Sequence, residues 1–287
     1  MALRPNPTLR QRRLGAELRR MREQAGLGGS QLARAIGVGP AQVTQMEAGK
    51  TGISAERLRT IAAVCMCTNQ PLIDALANTI GDRANGWWEK YRNNLTTDLL
   101  DVAEMEGYAE RISTYTITFV PGLLQTPAYA ASVFDRAIPP LPQSEVDLRT
   151  AFRLQRQHVV RSGATPYTAF VHEAALRMQF SGPKVLSEQL DVLIKAPESP
   201  GISVRVVPFD IESLPGPSEN FTYTQGPVPE LDTVQIDISF GCPLFDAPSH
   251  LASYREILAR MATVALTEDD SRDFIQSVKK EIVSKHG

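Results

Sequence analysis

From Leu9 to Ala63 apolar residues recur every three or four positions, the spacing of helices that bury one face. Leu14, Leu18, Met21 and Ala25 form one stripe. It is introduced by Thr8-Leu9-Arg10-Gln11, where Thr and Gln stand at capping-box spacing, and closed by Gly26. A short helix is predicted from Ser30 to Ile36, with Leu32, Ala33 and Ile36 on one side and Gly37 placed to take the positive φ that ends it. Pro40 pre-sets the first turn of the next helix. There Val43 and Met46 point inward, and Ala41, Thr44, Gln45 and Ala48 point out. Ser54 caps a further helix carrying Leu58, Ile61 and Ala62, and Leu72 to Ala77 extends the bundle.

Beyond this the pattern changes. Gly81-Asp82-Arg83-Ala84-Asn85-Gly86 breaks the helical period and reads as a boundary, giving an all-α domain at 1–80 and a larger one at 87–287. The second is predicted to open with helices around Trp87 to Tyr91 and Thr97 to Met105. A strand follows from Arg111 to Phe119, then a turn and helix from Val120 to Ala137, and a long helix capped by Ser144 that includes Val159. Further strands are expected at Tyr167 to His172, Ile202 to Val207, Phe221 to Thr224 and Val234 to Ile238. Helices are expected at Glu173 to Met178, Val185 to Lys195, Ser249 to Ala265 and Glu268 to Lys285. Strands among helices without a repeating βαβ rhythm make this an α+β domain.

Charge separates the same two parts. Residues 1–70 carry 11 Lys and Arg against 4 Asp and Glu, while the remainder carries 19 against 28. A basic module on an acidic body suits a chain that meets phosphate with one end only. Met1 to Pro7 is a short basic arm. The three cysteines, Cys65, Cys67 and Cys242, are too few for a disulfide framework, and Cys65 and Cys67, at the end of a helix, read as buried thiols. No apolar run reaches membrane-spanning length and no signal-peptide core is visible, so a cytoplasmic location and no membrane contact are expected.

The Ser30 to Lys50 stretch reads as a helix-turn-helix. Small and amide side chains suit a helix lying in a DNA major groove, where Gln bonds adenine N6 and N7 and Ala meets a thymine methyl. The run Leu14-Gly15, Leu18-Arg19, Arg22-Glu23, Ala25-Gly26-Leu27, Leu32-Ala33, Ile36-Gly37-Val38 and Val43 to Lys50 resembles the phage-repressor (Cro/C1, or XRE) family. The resemblance implies binding to double-stranded DNA and an architectural pair between Arg22 and Glu47. Gly28, Gly29, Pro40 and Ala41 stand at the family's usual contact positions without a side-chain hydrogen bond to give. The candidate DNA-binding set is therefore Gln42, Thr44, Gln45 and Lys50, with Ala41 as an apolar contact. Further on, Val120-Pro121-Gly122-Leu123-Leu124-Gln125-Thr126, Arg153-Leu154-Gln155-Arg156-Gln157, His172 to Arg177, and Gly182-Pro183 with Gln189-Leu190 are similar to the C-terminal domain of actinobacterial regulators described as Scr1-like or antitoxin-like, WhiJ among them. That resemblance implies control through the second domain by a small protein encoded nearby.

Enzyme chemistry finds no support in the sequence. Ser181-Gly182-Pro183-Lys184 and Lys50-Thr51-Gly52 match motifs of penicillin-binding serine enzymes, but in the wrong chain order. A self-cleaving Ser/Lys repressor would need an Ala-Gly bond outside the DNA module, and Ala25-Gly26 and Ala48-Gly49 both lie within it. His158, His172, His250 and His286 lack metal-ligand spacing, so no catalytic residue, metal or cofactor is expected. Arg153, Arg156 and Arg161 read as a solvated helix face. The expectation is a homodimeric, DNA-binding transcriptional regulator. Its alternatives are an antitoxin-like interaction protein that neutralises its partner, and a regulator responsive to a small molecule.

Overall fold

The computed structural model describes residues 6–81, 86–215, 219–238 and 241–286. Most of the basic arm expected at Met1 to Pro7, and most of the boundary expected at Gly81 to Gly86, lie outside them. The chain falls into two compact units, Met1–Met105 with Pro227–Leu231, and Glu106–Gly226 with Asp232–Gly287. The first unit thus runs on past Trp87.

The first unit is all-α. Helices α1 (Leu9–Gln24), α2 (Gly29–Ala35), α3 (Pro40–Glu47), α4 (Ala55–Val64) and α5 (Gln70–Gly81) are followed by a 3-10 turn at Trp87–Tyr91 and α6 (Thr97–Gly107). The periodic residues of the sequence make its core: Leu18, Met21, Leu32, Val43, Met46, Leu58, Ile61 and Leu76 are all buried. The Thr8 hydroxyl accepts from Gln11 N (3.4 Å) and the Gln11 amide oxygen accepts from Thr8 N (3.1 Å), closing the capping box. Glu104 brings a carboxylate to the same helix start, accepting from Leu9 N (2.8 Å) and from Arg10 Nε (3.3 Å), where the helix dipole favours negative charge. One turn earlier on α6, Asp101 pairs with Arg12. Burial raises the Asp101 carboxyl to about 6, although Arg12 pulls the other way.

Four helices of this unit end alike. Leu27, Val38, Lys50 and Cys67 each donate a backbone N–H to the carbonyl five residues back, at 2.9 to 3.1 Å. The residue before each lies in the left-handed region. Three are glycines at φ of 69 to 70°, and the fourth is Met66 at 53°. Of the two cysteines at the end of α4 read as buried thiols, Cys65 is buried and Cys67 is partly exposed.

The second unit is built on a six-stranded mixed sheet in the order β3-β2-β1-β4-β5-β6. The strands are β1 (Arg111–Thr116), β2 (Tyr167–His172), β3 (Ile202–Val207), β4 (Phe221–Gln225), β5 (Thr233–Ile236) and β6 (Leu244–Phe245). β1, β2 and β3 run parallel, joined by crossovers through α7 (Pro127–Asp135), α8 (Gln143–Arg156) and α9 (His158–Arg161), then α10 (Glu173–Arg177) and α11 (Pro183–Lys195). β4 to β6 add antiparallel partners, and α12 (Pro248–Val264) and α13 (Glu268–His286) finish the chain.

Alternation along the strands feeds two cores. Ile112, Tyr167, Val171, Val204 and Val206 pack with Leu186, Leu190 and Leu193 of α11 and with Ile275 and Val278 of α13. Tyr115, Phe170, Phe221, Tyr223 and Val234 face the other way, onto Leu251 and Met261 of α12. The architecture is therefore an all-α helix-turn-helix unit followed by an α+β unit, as the sequence pattern predicts. Details differ. The first strand ends at Thr116, and the two-residue β6 is too short to leave a periodic mark. The helix expected to be capped by Ser144 has Pro142 at its cap and divides at Gln157.

The arginines read as a solvated face are, with one exception, interior. Arg156 forms a two-pronged pair with Glu106 (2.8 and 2.6 Å), the carboxylate side chain only 3 % exposed. Arg153 donates to the Gln125 amide oxygen (2.8 Å) and stacks 4.3 Å over the Phe134 ring, and burial lowers its pKa to about 10. Only Arg161 is exposed. The periodicity misled because Glu106 and Gln125 lie far upstream of α8. These residues belong to an internal polar network around the turn 120–126. Gln125 Nε2 donates to Val120 O (2.8 Å), Gln157 Nε2 to Gln125 O (2.8 Å), and Gln189 Nε2 to Leu124 O (2.8 Å), while Thr126 N donates to Gln189 Oε1 (2.7 Å). Three separated stretches, 120–126, 153–157 and Gln189, thus meet in one place, where glutamines satisfy the backbone of a buried turn.

Candidate nucleic-acid interface

The site is made by α3 and its frame. Pro40 occupies the first helical turn, and Val43 and Met46 are 2 % and 4 % exposed. That anchoring turns Ala41, Gln42, Thr44 and Ala48 outward, and Lys50 beyond the helix end is exposed as well. Gln45 differs from the others. It is half-buried, and its amide oxygen is shielded from solvent with no hydrogen-bond partner among the described residues. Which end of an amide points outward is assigned from its hydrogen bonds. With Oε1 inward the two Nε2 protons face out; the reverse presents an acceptor. The Thr44 hydroxyl donates to Pro40 O in its own helix (3.3 Å), which leaves its lone pairs available as acceptors.

What holds α3 at its angle is the crossing with α1. Arg22 Nε donates to Glu47 Oε1 (2.6 Å) and Arg22 Nη2 to Glu47 Oε2 (2.9 Å), with both side chains 13 % exposed. A third donor, Arg22 Nη1, reaches Leu27 O after α1 (2.9 Å), and the bonds to Glu47 raise the arginine's pKa further. Gly49 turns the chain at φ +70°, and a Cβ there would lie 2.6 Å from Gln11 O. A Cβ on Gly15 would lie 2.8 Å from Gly49 N. Bare backbone is needed on both sides of the contact. The turn between α2 and α3 is held by Arg57 Nη1, which donates to Ile36 O (2.6 Å), and Gly28 N donates to the Gln31 side chain (2.6 Å).

The structure therefore brings Ala41, Gln42 and Thr44 together on the exposed side of one helix, places Lys50 just past its end, and sets Gln45 deeper than its neighbours. Gly28, Gly29 and Pro40 flank the same motif. The glycine pair that fixes the α1–α3 crossing escaped the sequence reading, although Gly15 inside an apolar stripe was the mark that pointed to it. Arg34 and Arg59 are exposed as well and have no ion-pair partner among the described residues. Their signal was basic charge at non-core positions of the bundle.

Nothing in either unit resembles a membrane span: among the described residues no helix is long and apolar enough to cross a bilayer. Residues 13–76 match the family described as a helix-turn-helix domain, and residues 99–277 match a domain of unknown function, DUF5753. No curated protein and no solved structure matches the chain. The first match, which spans α1 to α5, marks the chain as a DNA-binding regulator. The second covers more than half of the sequence: the chain belongs to the DUF5753 family, carrying its domain behind a helix-turn-helix.

Proposed function

We propose that the protein is a cytoplasmic, sequence-specific transcriptional regulator of the XRE type, which docks α3 in the major groove of double-stranded DNA. The observation that carries this reading is the division of α3, with Val43 and Met46 in the core and Ala41, Gln42, Thr44 and Ala48 on the open side. Gln42 and Gln45 are the base-reading side chains, Thr44 and Ala41 supply a hydroxyl and a methyl contact, and Lys50 neutralises phosphate. Arg34 and Arg59 add basic charge near the backbone. A homodimer on a two-fold site doubles a contact set that is sparse in one copy. The α+β unit carries dimerisation and control, and the resemblance to antitoxin-like domains supports a small protein encoded nearby as the controlling partner. No catalytic role is proposed.

The test is a fluorescence-anisotropy titration of the full chain against its own upstream DNA and a scrambled duplex, at several salt concentrations, with and without that small protein. Preference for the native duplex, altered by the small protein, is expected. Equal and steeply salt-dependent binding to both duplexes would reduce the interface to phosphate contact.

A further inference from the structure

The sheet of the second unit is unevenly covered. Helix α12 lies over one side of the face that carries Tyr115, Phe221 and Tyr223, and beside it an open groove of about 880 Å³ remains, within the range of small-ligand sites. Its floor is a row of hydroxyls set by strand register. Ser113 on β1 stands opposite Thr168 on β2, and Thr168 opposite Ser203 on β3, all three partly exposed. Neighbouring strands are about 4.8 Å apart, so the three hydroxyls form an evenly spaced line across the sheet. None of them has a hydrogen-bond partner among the described residues.

The walls are fixed. Arg205 donates to Ala262 O (3.0 Å), Ala265 O (2.6 Å) and Leu266 O (2.8 Å), capping the end of α12. Arg255 is held by Tyr223 Oη (2.7 Å) and by Asp232 (2.9 Å). Arg111, opposite Gln225 at the β1–β4 end, is different: it is exposed, and no described carboxylate pairs with it. The rim carboxylates, Glu198 and Glu268, belong to the opposite end, beside β3. A ligand's negative group is therefore directed toward Arg111, and its body lies over the hydroxyl row, where Ser and Thr both donate and accept.

We propose that this groove binds a small hydroxylated anion, a sugar acid or sugar phosphate, with the acidic group on Arg111 and the hydroxyls on Ser113, Thr168 and Ser203. The site lies wholly within the second unit and does not depend on the DNA-binding reading; either stands if the other fails.

The test is calorimetric titration of the full chain with gluconate, ribose-5-phosphate, free ribose and inorganic phosphate. At least one of the two hydroxylated anions binds, more tightly than ribose or phosphate alone, and which one binds separates carboxylate from phosphate recognition. Arg111→Ala, a surface change that leaves the thermal midpoint in place, weakens that binding about tenfold, the loss expected for one charge-assisted hydrogen bond. The triple variant Ser113→Ala, Thr168→Val, Ser203→Ala removes the preference over inorganic phosphate. Binding of neither hydroxylated anion, phosphate alone binding as tightly as ribose-5-phosphate, or unchanged affinity in Arg111→Ala would each overturn the proposal.

Discussion

A Cβ on Gly15 would sit 2.4 Å from the carbonyl oxygen of Glu47, closer than any real side chain tolerates. The obstacle is backbone, so one helix must move. Gly15→Ala is expected to destabilise the protein by about 1–3 kcal/mol, the usual cost of overpacking. Urea unfolding gives the number, and operator affinity falls with it because α3 loses its seat. A fully stable Gly15→Ala would show that α1 and α3 are not held this close.

Arg22 and Glu47 make a two-pronged pair at a mostly buried position. Arg22→Lys keeps the charge but not the fork, and also gives up the bond to Leu27 O. We expect Arg22→Lys to recover less than half of the stability lost in Arg22→Ala. Equal stability of wild type and Arg22→Lys in chemical denaturation would reduce the pair to simple charge.

On the open side of α3, Gln45→Ala is expected to lower affinity for the native operator by a factor of ten or more, as the loss of one good base contact implies. The circular-dichroism melt stays in place, because the amide oxygen of Gln45 has no described partner to lose. Unchanged operator affinity would remove Gln45 from the interface.

Much of the first unit was legible because its determinants are local. Thr8 with Gln11, Pro40, Ser54 and the glycines after three helices all act within a few residues of themselves. Where partners are distant the sequence is silent. Arg153 and Arg156 look solvated until the fold supplies Gln125 and Glu106. Glu104 and Asp101 sit in an acidic helix with nothing to mark their grip on Leu9, Arg10 and Arg12. Ser113, Thr168 and Ser203 become one row only through strand register. The α3 face was readable as a pattern, but the deeper seat of Gln45 was not, since periodicity gives direction and not depth.

Met66 holds the left-handed position that glycine takes in the three sister helix ends, with its side chain 77 % exposed. A non-glycine residue there costs about 1 kcal/mol, and the exposed side chain returns little packing. Met66→Gly should therefore raise the thermal midpoint by a few degrees. A fall would mean that the side chain contributes more than its exposure suggests.

Asp101 has a folded pKa of about 6 against an ordinary 3.8, because burial outweighs Arg12. The folded chain then holds this proton more tightly than the unfolded one, so the contribution to stability is present below about pH 4 and is lost as pH rises through about 6. Asp101→Asn lacks that dependence. The difference in urea midpoint between the two proteins should move in the variant's favour from about pH 4 to 6; movement toward the wild type would reverse the sign assigned to burial.

Gln189 bridges the two ends of a buried turn, taking Thr126 N and serving Leu124 O. Gln189→Leu leaves both unpaired, at a cost of about 2–4 kcal/mol. Denaturant unfolding monitored by far-ultraviolet dichroism measures the loss.

The central strand β1 joins β2, which begins at Tyr167, on one side, and β4, which begins at Phe221, on the other. During synthesis it leaves the ribosome with neither partner made, while every helix of the motif ahead of it already has its neighbours. Closing such distant pairings is slow. Until Gln225 has emerged, the antiparallel edge of β1 stays unpaired, open to the strands of other copies.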